Sequence, residues 1–350
     1  MRKIAFIDLS PIRGGAEISF ELILQKMNDK EDITLVISKD SEAFTDLKEI
    51  KTERIDLDKN TLFEKKNSIL SPYSAIKIII KGLKTKCIYE IIVTNTFKSH
   101  LFGFGLRIKN RRVKWIIYER DVPENIFIKL LKIFLHKQSN FVIFNSNYLK
   151  RKYGNVKTSE VIYNIIEANK LVSEKRDFKK FVFIGNLTYE KGFDRTLEVL
   201  EKIRKKIPEA ILYVAGENGY GTIVTKRGQK NIIYLGYDEK RNCLKEAGFI
   251  ILLNRRKESF SRAISEAMMC GIVPVLLRGN GMDEYAKENN ALLFDSYDSE
   301  NISDKIFNAI NDGKTEDLSK NAKESINSLI DFETTIFKFG SVLDNLTNQE

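Results

Sequence analysis

The sequence predicts two doubly wound α/β domains, and three observations carry this prediction. The chain has 350 residues, which is long for one core because domains usually hold about 100–200 residues. Short apolar runs alternate with helical patterns of ten or more residues, which indicates βαβ units and parallel sheets. The alternation forms two series, separated by the polar stretch Ala168–Lys180. We expect a first domain at 1–167, a second at 168–330, and a terminal helix in 331–350 that packs back on the first.

The individual elements follow from apolar runs and helical spacing. The first series comprises the strand Lys3–Asp8, the helix Ala16–Met27, the strands Ile33–Ser38, Glu90–Asn95 and Val113–Tyr118, the helix Ile126–His136, and the strands Asn140–Asn145 and Val161–Asn164. The second series comprises the strand Phe181–Gly185, the helix Lys191–Lys206, and the strands Ala210–Ala215, Asn231–Leu235, Phe249–Leu253, Val273–Leu277 and Ala291–Phe294. Apolar residues also recur at helical spacing in the last helix, Phe332–Leu346.

Composition excludes several classes of protein. The chain is 43% hydrophobic and 30% charged, which is typical of a globular protein. No apolar run approaches the roughly 18 residues of a membrane span, and Asp8 interrupts the first run too early for a signal peptide. The scattered Cys87, Cys243 and Cys270 fit a reducing cytoplasm and argue against a disulfide scaffold. Two histidines argue against a His-based zinc site or a Ser-His-Asp triad.

Positive charge is concentrated in the first half of the chain. Residues 65–157 contain 20 Lys and Arg but only 4 Asp and Glu, a net of +16. Such a block indicates an anionic partner, which could be a nucleic acid, a membrane surface or a phosphorylated substrate. A solvated lysine-rich surface would give the same count.

Strand-to-helix turns hold the candidate site, because open parallel sheets bind ligands at the carboxyl ends of their strands. Gly14 and Gly15 precede the first helix, where free backbone N–H groups favour an anion. Lys191 stands at a helix entrance in the second series. An ammonium group there opposes the helix dipole, so a bound anion explains it better. An ordinary turn and a solvated lysine remain the alternative interpretations.

Two glutamates mark the third turn. Glu258 and Glu266 are eight residues apart, about 2.2 helical turns, so their carboxylates share roughly one side of the segment. Carboxylates accept hydrogen bonds from sugar hydroxyls, and the helix start between them suits phosphate. The combination suits a nucleotide sugar, although two surface glutamates would produce the same spacing.

Taken in order, these motifs resemble those of the family-4 glycosyltransferases. These are retaining enzymes with the GT-B fold, in which two Rossmann-like domains face a central cleft. The resemblance covers nearly the whole chain and rests on Gly14–Glu17, Phe144–Asn147, Ile162–Glu167, Gly185–Leu187, Lys191-Gly192, Glu258 to Glu266, Gly271–Val275 and Gly279–Glu284. It implies a glycosyltransferase (EC 2.4) that moves a sugar from a nucleotide-diphosphate sugar, a UDP-sugar first and a GDP-sugar second. The implied acceptor is a glycan or a polyprenyl-diphosphate-linked glycan of bacterial surface polysaccharide synthesis.

The resemblance also assigns roles to residues. Glu258 and Lys191 would be catalytic, with Glu258 on the transferred sugar, Lys191 on the diphosphate and Glu266 on the ribose. The other implied donor-binding residues are Gly14, Gly15, Asn186, Arg256, Ser259, Phe260, Ser261, Arg262, Gly281 and Met282. The family often has a donor-facing histidine where this chain has Tyr118–Asp121, so Glu119, Arg120 and Asp121 are expected on the acceptor or sugar side.

One departure concerns charge at the diphosphate. Asn186 replaces the arginine usually paired with Lys191, so Arg255, Arg256 or Arg262 would replace that charge, or donor binding is weaker. The sequence offers no convincing general base, which an inverting transferase needs. The resemblance instead implies that the leaving diphosphate takes the acceptor's proton while cations stabilise its charge. We therefore expect no cofactor and no metal.

Two other classes of protein remain open. A non-catalytic GT-B partner that binds glycans or stabilises another transferase is favoured by Asn186 and the absent histidine. A nucleic-acid binder would need a recognised module, and we expect no nucleic-acid partner. The stretches Lys77–Lys86, Arg107–Lys114 and Lys129–Lys137 mix basic and apolar residues, which predicts a cytoplasmic protein held peripherally on an anionic inner leaflet. Core helices with solvated lysines would show the same mixture.

Overall fold

A computed structural model describes residues 1–44, 47–57, 71–166, 176–216, 231–236 and 244–347. The chain forms two compact units, one of Met1–Ile165 with Phe332–Glu350 and one of Ile166–Asp331. Each unit contains one parallel sheet flanked by helices. Glu167, Cys243 and residues 168–175 of the polar stretch lie outside the described residues.

The first unit is built on a seven-stranded sheet of order β3-β2-β1-β4-β5-β6-β7, and every pairing in it is parallel. Its strands are β1 (Lys3–Asp8), β2 (Asp32–Ser38), β3 (Lys51–Ile55), β4 (Ile91–Thr94), β5 (Lys114–Glu119), β6 (Phe141–Phe144) and β7 (Ser159–Val161). Its helices are α1 (Gly15–Met27), α2 (Pro72–Lys84), α3 (Phe97–Lys109), α4 (Ile126–Gln138), α5 (Asn147–Tyr153) and the last helix of the chain, α10 (Phe332–Thr347).

Both faces of this sheet are buried, which explains why its strands read as continuous apolar runs. Alternate side chains of β1 belong to different cores. Ile4 and Phe6 pack in a cluster with α1 and α10, whereas Ala5 and Ile7 pack in a second cluster with Trp115. The terminal helix contributes Phe339, whose ring stacks on Phe6 with 5.9 Å between centroids. This contact ties the end of the chain to its first strand.

Two strands of the first unit differ from the sequence prediction. The edge strand β3 was not predicted, because its sequence is largely polar and only Ile55 is buried. The strand predicted at Val161–Asn164 instead lies at Ser159–Val161. Its register pairs Ser159 with Val142 and Val161 with Phe144, where β6 ends, so pairing cannot extend to Asn164.

The second unit is built on a six-stranded parallel sheet of order β10-β9-β8-β11-β12-β13. Its strands are β8 (Asp177–Ile184), β9 (Ile211–Ala215), β10 (Ile232–Gly236), β11 (Ala247–Leu252), β12 (Val273–Leu277) and β13 (Leu292–Phe294). Its helices are α6 (Phe193–Lys206), α7 (Arg262–Met269), α8 (Ser299–Asn311) and α9 (Thr315–Leu329), with a 3-10 turn at Gly281–Glu284.

The strand order of the second unit positions its candidate site. The chain runs outward from β8 to β9 and β10, and outward in the other direction from β11 to β12 and β13. The reversal between β8 and β11 is a topological switch point, where open α/β sheets bind ligands. The turns that carry Lys191 and Glu258 leave the sheet from these two neighbouring strands.

Candidate functional site

A glycine brings the two turns at the switch point into contact. Gly192 lies at φ +69°, and a Cβ placed there would fall 2.1 Å from the carbonyl oxygen of Leu253. Only glycine permits this approach, because a side chain would be strained by its φ as well as blocked by backbone. The backbone N–H of Arg255 donates to the carbonyl of Glu190 at 2.9 Å and joins the turns further.

Lys191 and Glu258, the two predicted catalytic residues, form an ion pair through Nζ and Oε1. The Lys191 side chain is 38% exposed and that of Glu258 is 16% exposed. Asn254 donates from Nδ2 to the same Oε1 at 2.6 Å. The structure therefore places a partly accessible cation beside a fixed carboxylate at the carboxyl edge of the sheet.

The turn at Gly281 supports the backbone of Glu258. The N–H of Glu258 donates to Asn280 Oδ1 at 3.1 Å, and the N–H of Gly281 donates to the Glu258 carbonyl at 2.8 Å. A Cβ on Gly281 would lie 1.7 Å from the carbonyl oxygen of Ser259, so this contact requires glycine. Met282 is buried. Its assignment to the donor site stays a prediction.

The start of α7 is held by an aromatic side chain. Ser259, Phe260 and Ser261 are all buried, and the Phe260 ring lies 5.6 Å from that of Tyr285. The Tyr285 hydroxyl accepts from the Ser261 N–H at 3.4 Å and donates to the Ser261 carbonyl at 3.3 Å. Burial raises the pKa of Tyr285, which keeps this hydroxyl protonated.

Glu266 lies inside α7 and is paired with Arg262, whose Nε lies 2.6 Å from Glu266 Oε1. Arg255 forms a bidentate pair with Asp194, with distances of 2.6 and 2.5 Å. The guanidinium groups of Arg255 and Arg262 are thus both engaged with carboxylates. The expectation that Arg255, Arg256 or Arg262 replaces the charge lost at Asn186 stays a prediction, with Arg255 and Arg262 already paired to carboxylates. Arg256 and Asn186 are exposed.

The first turn of the chain holds carboxylates where free N–H groups were expected. Gly14 donates its N–H to Glu17 Oε2 at 2.9 Å, so this amide is already occupied, and α1 begins at Gly15. Asp8, at the end of β1, accepts from the Ser10 N–H at 2.7 Å and from Asn95 Nδ2 at 2.6 Å. Burial, together with the charge of Glu17, raises the pKa of Asp8 to about 8.

The residues expected on the acceptor or sugar side occupy different environments. Glu119 is buried, and its carboxylate pairs with Lys132 at 2.7 Å and His136 at 3.2 Å. The expectation that this side chain faces a ligand is therefore wrong. Arg120 is also buried and donates to the Ala16 carbonyl at 3.0 Å. Asp121 is exposed and is the one member of this group that stays a prediction.

Sequence reasoning missed three side chains that hold the site together. Asn254 and Asn280 fix the carboxylate and the backbone of Glu258, and Tyr285 fixes the start of α7. Both asparagines stand two or three residues after the end of a buried strand. Short amide side chains are common in such turns because they bond to nearby groups of the chain. The positions of the asparagines could therefore have been noticed in the sequence. The role of Tyr285 could not, because its partner Ser261 is 24 residues away in the chain.

Within the described ranges, no group of three or more His, Cys, Asp and Glu side chains is arranged to hold a metal ion. The ion pairs of the candidate site are Lys191–Glu258 and Arg262–Glu266, with Arg255–Asp194 nearby.

Two Rossmann-like units, each a parallel sheet flanked by helices, define the GT-B class of fold. Residues 166–325 match the family model described as Glycosyl transferases group 1. This match lies within the second unit, which contains the Lys191–Glu258 pair.

Two curated relatives match parts of the chain. An uncharacterized 42.6 kDa protein in the cps region of Klebsiella pneumoniae is 32% identical over 168 residues, which is 45% of this chain and 43% of the relative. One of the subunits of the human phosphatidylinositol N-acetylglucosaminyltransferase is 24% identical over 188 residues, which is 49% of this chain and 39% of the relative. The matches thus span less than half the length of these curated relatives.

Solved structures share the fold over the whole chain. Anabaena HepE, crystallised with UDP and glucose, has a TM-score of 0.78 at 20% identity and covers 98% of this chain and 100% of its own. The sucrose-phosphate synthase of Thermosynechococcus elongatus has a TM-score of 0.77 at 15% identity, with 100% of both chains covered. These likenesses confirm the predicted fold class.

Proposed function

We propose that this protein is a retaining glycosyltransferase that moves a sugar from a nucleotide-diphosphate sugar to a glycan or lipid-linked acceptor. The observation that carries the proposal is the Lys191–Glu258 pair at the switch point of the second unit. A lone surface lysine would not need a neighbouring carboxylate fixed by an asparagine and a glycine turn. Here Asn254 holds the carboxylate of Glu258, and Asn280 and Gly281 hold its backbone.

The pair suits a donor that is anionic at one end and rich in hydroxyls at the other. Lys191 Nζ supplies a positive charge for the diphosphate. The second oxygen of Glu258 is oriented by the bonds to the first, and it can accept from sugar hydroxyls. Glu266, held by Arg262, is assigned to the ribose. HepE was crystallised with UDP-glucose, which supports a UDP-sugar as the first donor to test, with a GDP-sugar second.

The proposed reaction requires charge stabilisation rather than a metal. The bond from the anomeric carbon to the diphosphate oxygen breaks, and the acceptor oxygen bonds to the same face of that carbon. The acceptor's proton passes to the leaving diphosphate. Lys191 stabilises the charge that develops on this group, and preorganised charges of this kind contribute large parts of catalysis. Configuration at the anomeric carbon is retained.

The product tests this assignment directly. Proton NMR of the isolated product, from reactions run with and without EDTA, should show the anomeric configuration of the donor and equal yields. An inverted product would remove the retaining assignment. Loss of yield in EDTA, restored by a divalent cation, would remove the metal-free charge handling.

The biological setting is proposed from the relative in the Klebsiella cps region and from the family resemblance. We assign the activity to bacterial surface polysaccharide synthesis, such as capsule or O-antigen, in the cytoplasm at the inner face of the membrane. Deletion of the gene followed by sugar analysis of the surface polysaccharide would test this setting. An unchanged polysaccharide would contradict it.

A non-catalytic role is the second candidate, and exposed Asn186 in place of an arginine favours it. Such a partner would bind glycans or stabilise another transferase without turning over a donor. It would leave nucleotide sugars intact when supplied with acceptor, whereas a transferase would release the nucleoside diphosphate. Measurement of released UDP separates the two candidates.

A further inference from the structure

Helix α4 turns its apolar side outward. Its outer positions are filled by Ile126, Phe127, Leu130 and Phe134, all exposed, and Phe127 is 64% exposed. Its inner positions carry two polar residues, Lys132 and His136, which are buried on Glu119. An ordinary surface helix has the opposite arrangement.

The buried contacts of Glu119 fix this orientation. Glu119 lies at the end of β5, and its carboxylate lies 2.7 Å from Lys132 Nζ and 3.2 Å from His136 Nε2. Both partners lie on the same side of α4, four residues apart. Rotating the helix to bury Phe127 would leave the Glu119 carboxylate buried without its partners, which is strongly unfavourable. The large apolar side chains of α4 therefore stay exposed, because Lys132 and His136 occupy the buried side of the helix.

A second helix repeats the pattern. In α2 the exposed large apolar side chains are Tyr73, Ile76 and Ile80, spaced along one stripe, and Tyr73 is 74% exposed. Helix α3 lies beside it, because the backbones of Gly82 and Gly105 approach so closely that a Cβ on Gly105 would fall 3.0 Å from the Gly82 Cα. On its other side, α3 contacts α4 through the rings of Phe104 and Phe134, 5.5 Å apart.

These three adjacent helices form one surface, which we call the basic apolar face. Its exposed apolar members are Tyr73, Ile76, Ile80, Ile108, Ile126, Phe127, Leu130 and Phe134. Helices α2, α3 and α4 contain nine Lys and Arg residues and no Asp or Glu. Scattered exposed apolar residues are ordinary, but a contiguous group marks an interaction site.

The charge of the face identifies its occupant. The three helices carry no acidic residue, so the face complements an anionic partner. Its exposed apolar side chains are buried favourably only by a partner that also offers an apolar phase. An anionic lipid leaflet has both properties. In the part of the chain that the structure describes, no helix is long and apolar enough to cross a membrane. We propose that the basic apolar face binds anionic lipid bilayers peripherally, with the outer stripes of α2 and α4 entering the interface.

The face also reaches the edge of the sheet where ligands bind. Helices between parallel strands run opposite to the strands, so α2 and α4 begin at the carboxyl edge of the first sheet. Tyr73, Ile126 and Phe127 all lie in the first turns of these helices. A lipid-linked acceptor would be met at this edge. Lipid binding itself does not depend on the proposed transferase activity.

Vesicle flotation tests the proposal. The full chain is mixed with vesicles of phosphatidylglycerol and phosphatidylcholine, or of phosphatidylcholine alone, and binding of UDP is measured on the same samples. We expect flotation with the anionic vesicles at about 50 mM salt, none with neutral vesicles, and release near 0.5 M, where the Debye length falls to a few ångströms. No flotation with anionic vesicles at low salt would overturn the proposal.

Two variants locate the contact. Phe127→Ser with Leu130→Ser removes exposed apolar side chains, so folding should be kept, and flotation should fall at least tenfold. Phe337→Ser changes an equally exposed phenylalanine of the same unit and should float like the wild type. Lys84→Glu, Lys109→Glu and Lys137→Glu reverse one exposed charge in the last turn of each helix and should also abolish flotation. The matched control set is Lys30→Glu, Lys320→Glu and Lys338→Glu, which lie elsewhere on the surface.

The outcomes distinguish this inference from the proposed function. Unchanged flotation of both face variants would overturn the basic apolar face as the contact. Self-association of the wild type through this face, without vesicle binding, would also overturn the lipid assignment in favour of a second copy. Flotation without UDP binding would leave the lipid proposal intact and count against the transferase.

Discussion

Lys191 and Glu258 lie 67 residues apart in the chain, and their side chains form an ion pair at the switch point of the second sheet. The pair is neutral as a whole, because the lysine charge is balanced by that of the glutamate. A diphosphate would give Lys191 a second anionic partner and leave Glu258 free to accept from hydroxyls. The contact therefore predicts different consequences for the two residues.

Glu258→Ala and Lys191→Ala should each lower turnover by roughly 10²-fold or more, because single preorganised groups at charged transition states have effects of that size. The measurement is release of UDP in the presence of acceptor. The control is Lys202→Ala with Glu300→Ala, which removes a surface ion pair of 2.7 Å in the same unit. Unchanged turnover in both site variants would remove the site assignment.

Asn254→Ala should lower turnover by about 10- to 100-fold, because a hydrogen bond to a charged group contributes about 1.5–3 kcal/mol. Asn254 contacts Glu258 directly, and we expect its loss to affect kcat more than the affinity for UDP. Equal losses in kcat and in UDP affinity would show that Asn254 acts on the nucleotide and not through Glu258.

Gly281→Ala should unfold or distort the second unit, because the added Cβ would lie 1.7 Å from backbone at Ser259. Gly340→Ala is the matched control. It lies within α10, and a Cβ there meets nothing within 4 Å among the described residues. We expect this second change to stabilise its unit by roughly 0.5–1 kcal/mol, since glycine weakens a helix interior by that amount. Thermal unfolding of both variants is the measurement. A Gly281→Ala variant with the Tm of the wild type would show that the close contact at Ser259 is not required.

Asp8 should make the first unit less stable at alkaline pH. Its pKa is about 8 in the folded chain and near 3.9 in an unfolded one. Between these values the folded state holds the extra proton, so stability falls as pH rises from about 4 to about 8. Asp8→Asn removes this titration. If the Asn95 amide turns over, the new amide can donate to Asn95 Oδ1, which has no hydrogen-bond partner in the described structure.

Fluorescence can follow that unit alone, because Trp115 is the single tryptophan of the chain and is buried in the first unit. The gain in Tm of Asp8→Asn over the wild type should be larger at pH 8.5 than at pH 5. The same gain at both pH values would show that Asp8 is not the titrating group.

The sequence predicted the parts of the molecule that depend on local pattern. Buried strands such as β1 and β12 have the predicted bounds, because their apolar runs are continuous. The polar edge strand β3 has no such run and was missed. Among site residues, Lys191 and Glu258 were identified from spacing and resemblance, and the structure brings them together.

Side-chain partners were beyond the sequence wherever they lie far apart in the chain. Glu119 resembled a ligand-facing residue because it ends a strand, yet Lys132 and His136 from the following helix occupy its carboxylate. A partner close in the chain was also missed: the turn at Gly14 suggested free N–H groups, but Glu17, three residues further on, accepts from Gly14. The sequence of α4 was compatible with a core helix and with a surface helix. Its apolar spacing did not show that Lys132 and His136 lie on the buried side.

Titration calorimetry of UDP and of UDP-glucose against three proteins tests the central claim most directly. If Lys191 holds the diphosphate and Glu258 the sugar, Lys191→Ala should weaken the binding of both ligands by at least tenfold. Glu258→Ala should weaken UDP-glucose by a similar factor while leaving the affinity for UDP within about twofold of the wild type. If a GDP-sugar binds instead, the same comparison applies with GDP. Binding of neither nucleotide by the wild type, or equal affinities for both ligands in all three proteins, would contradict the assignment of this pair as the donor site.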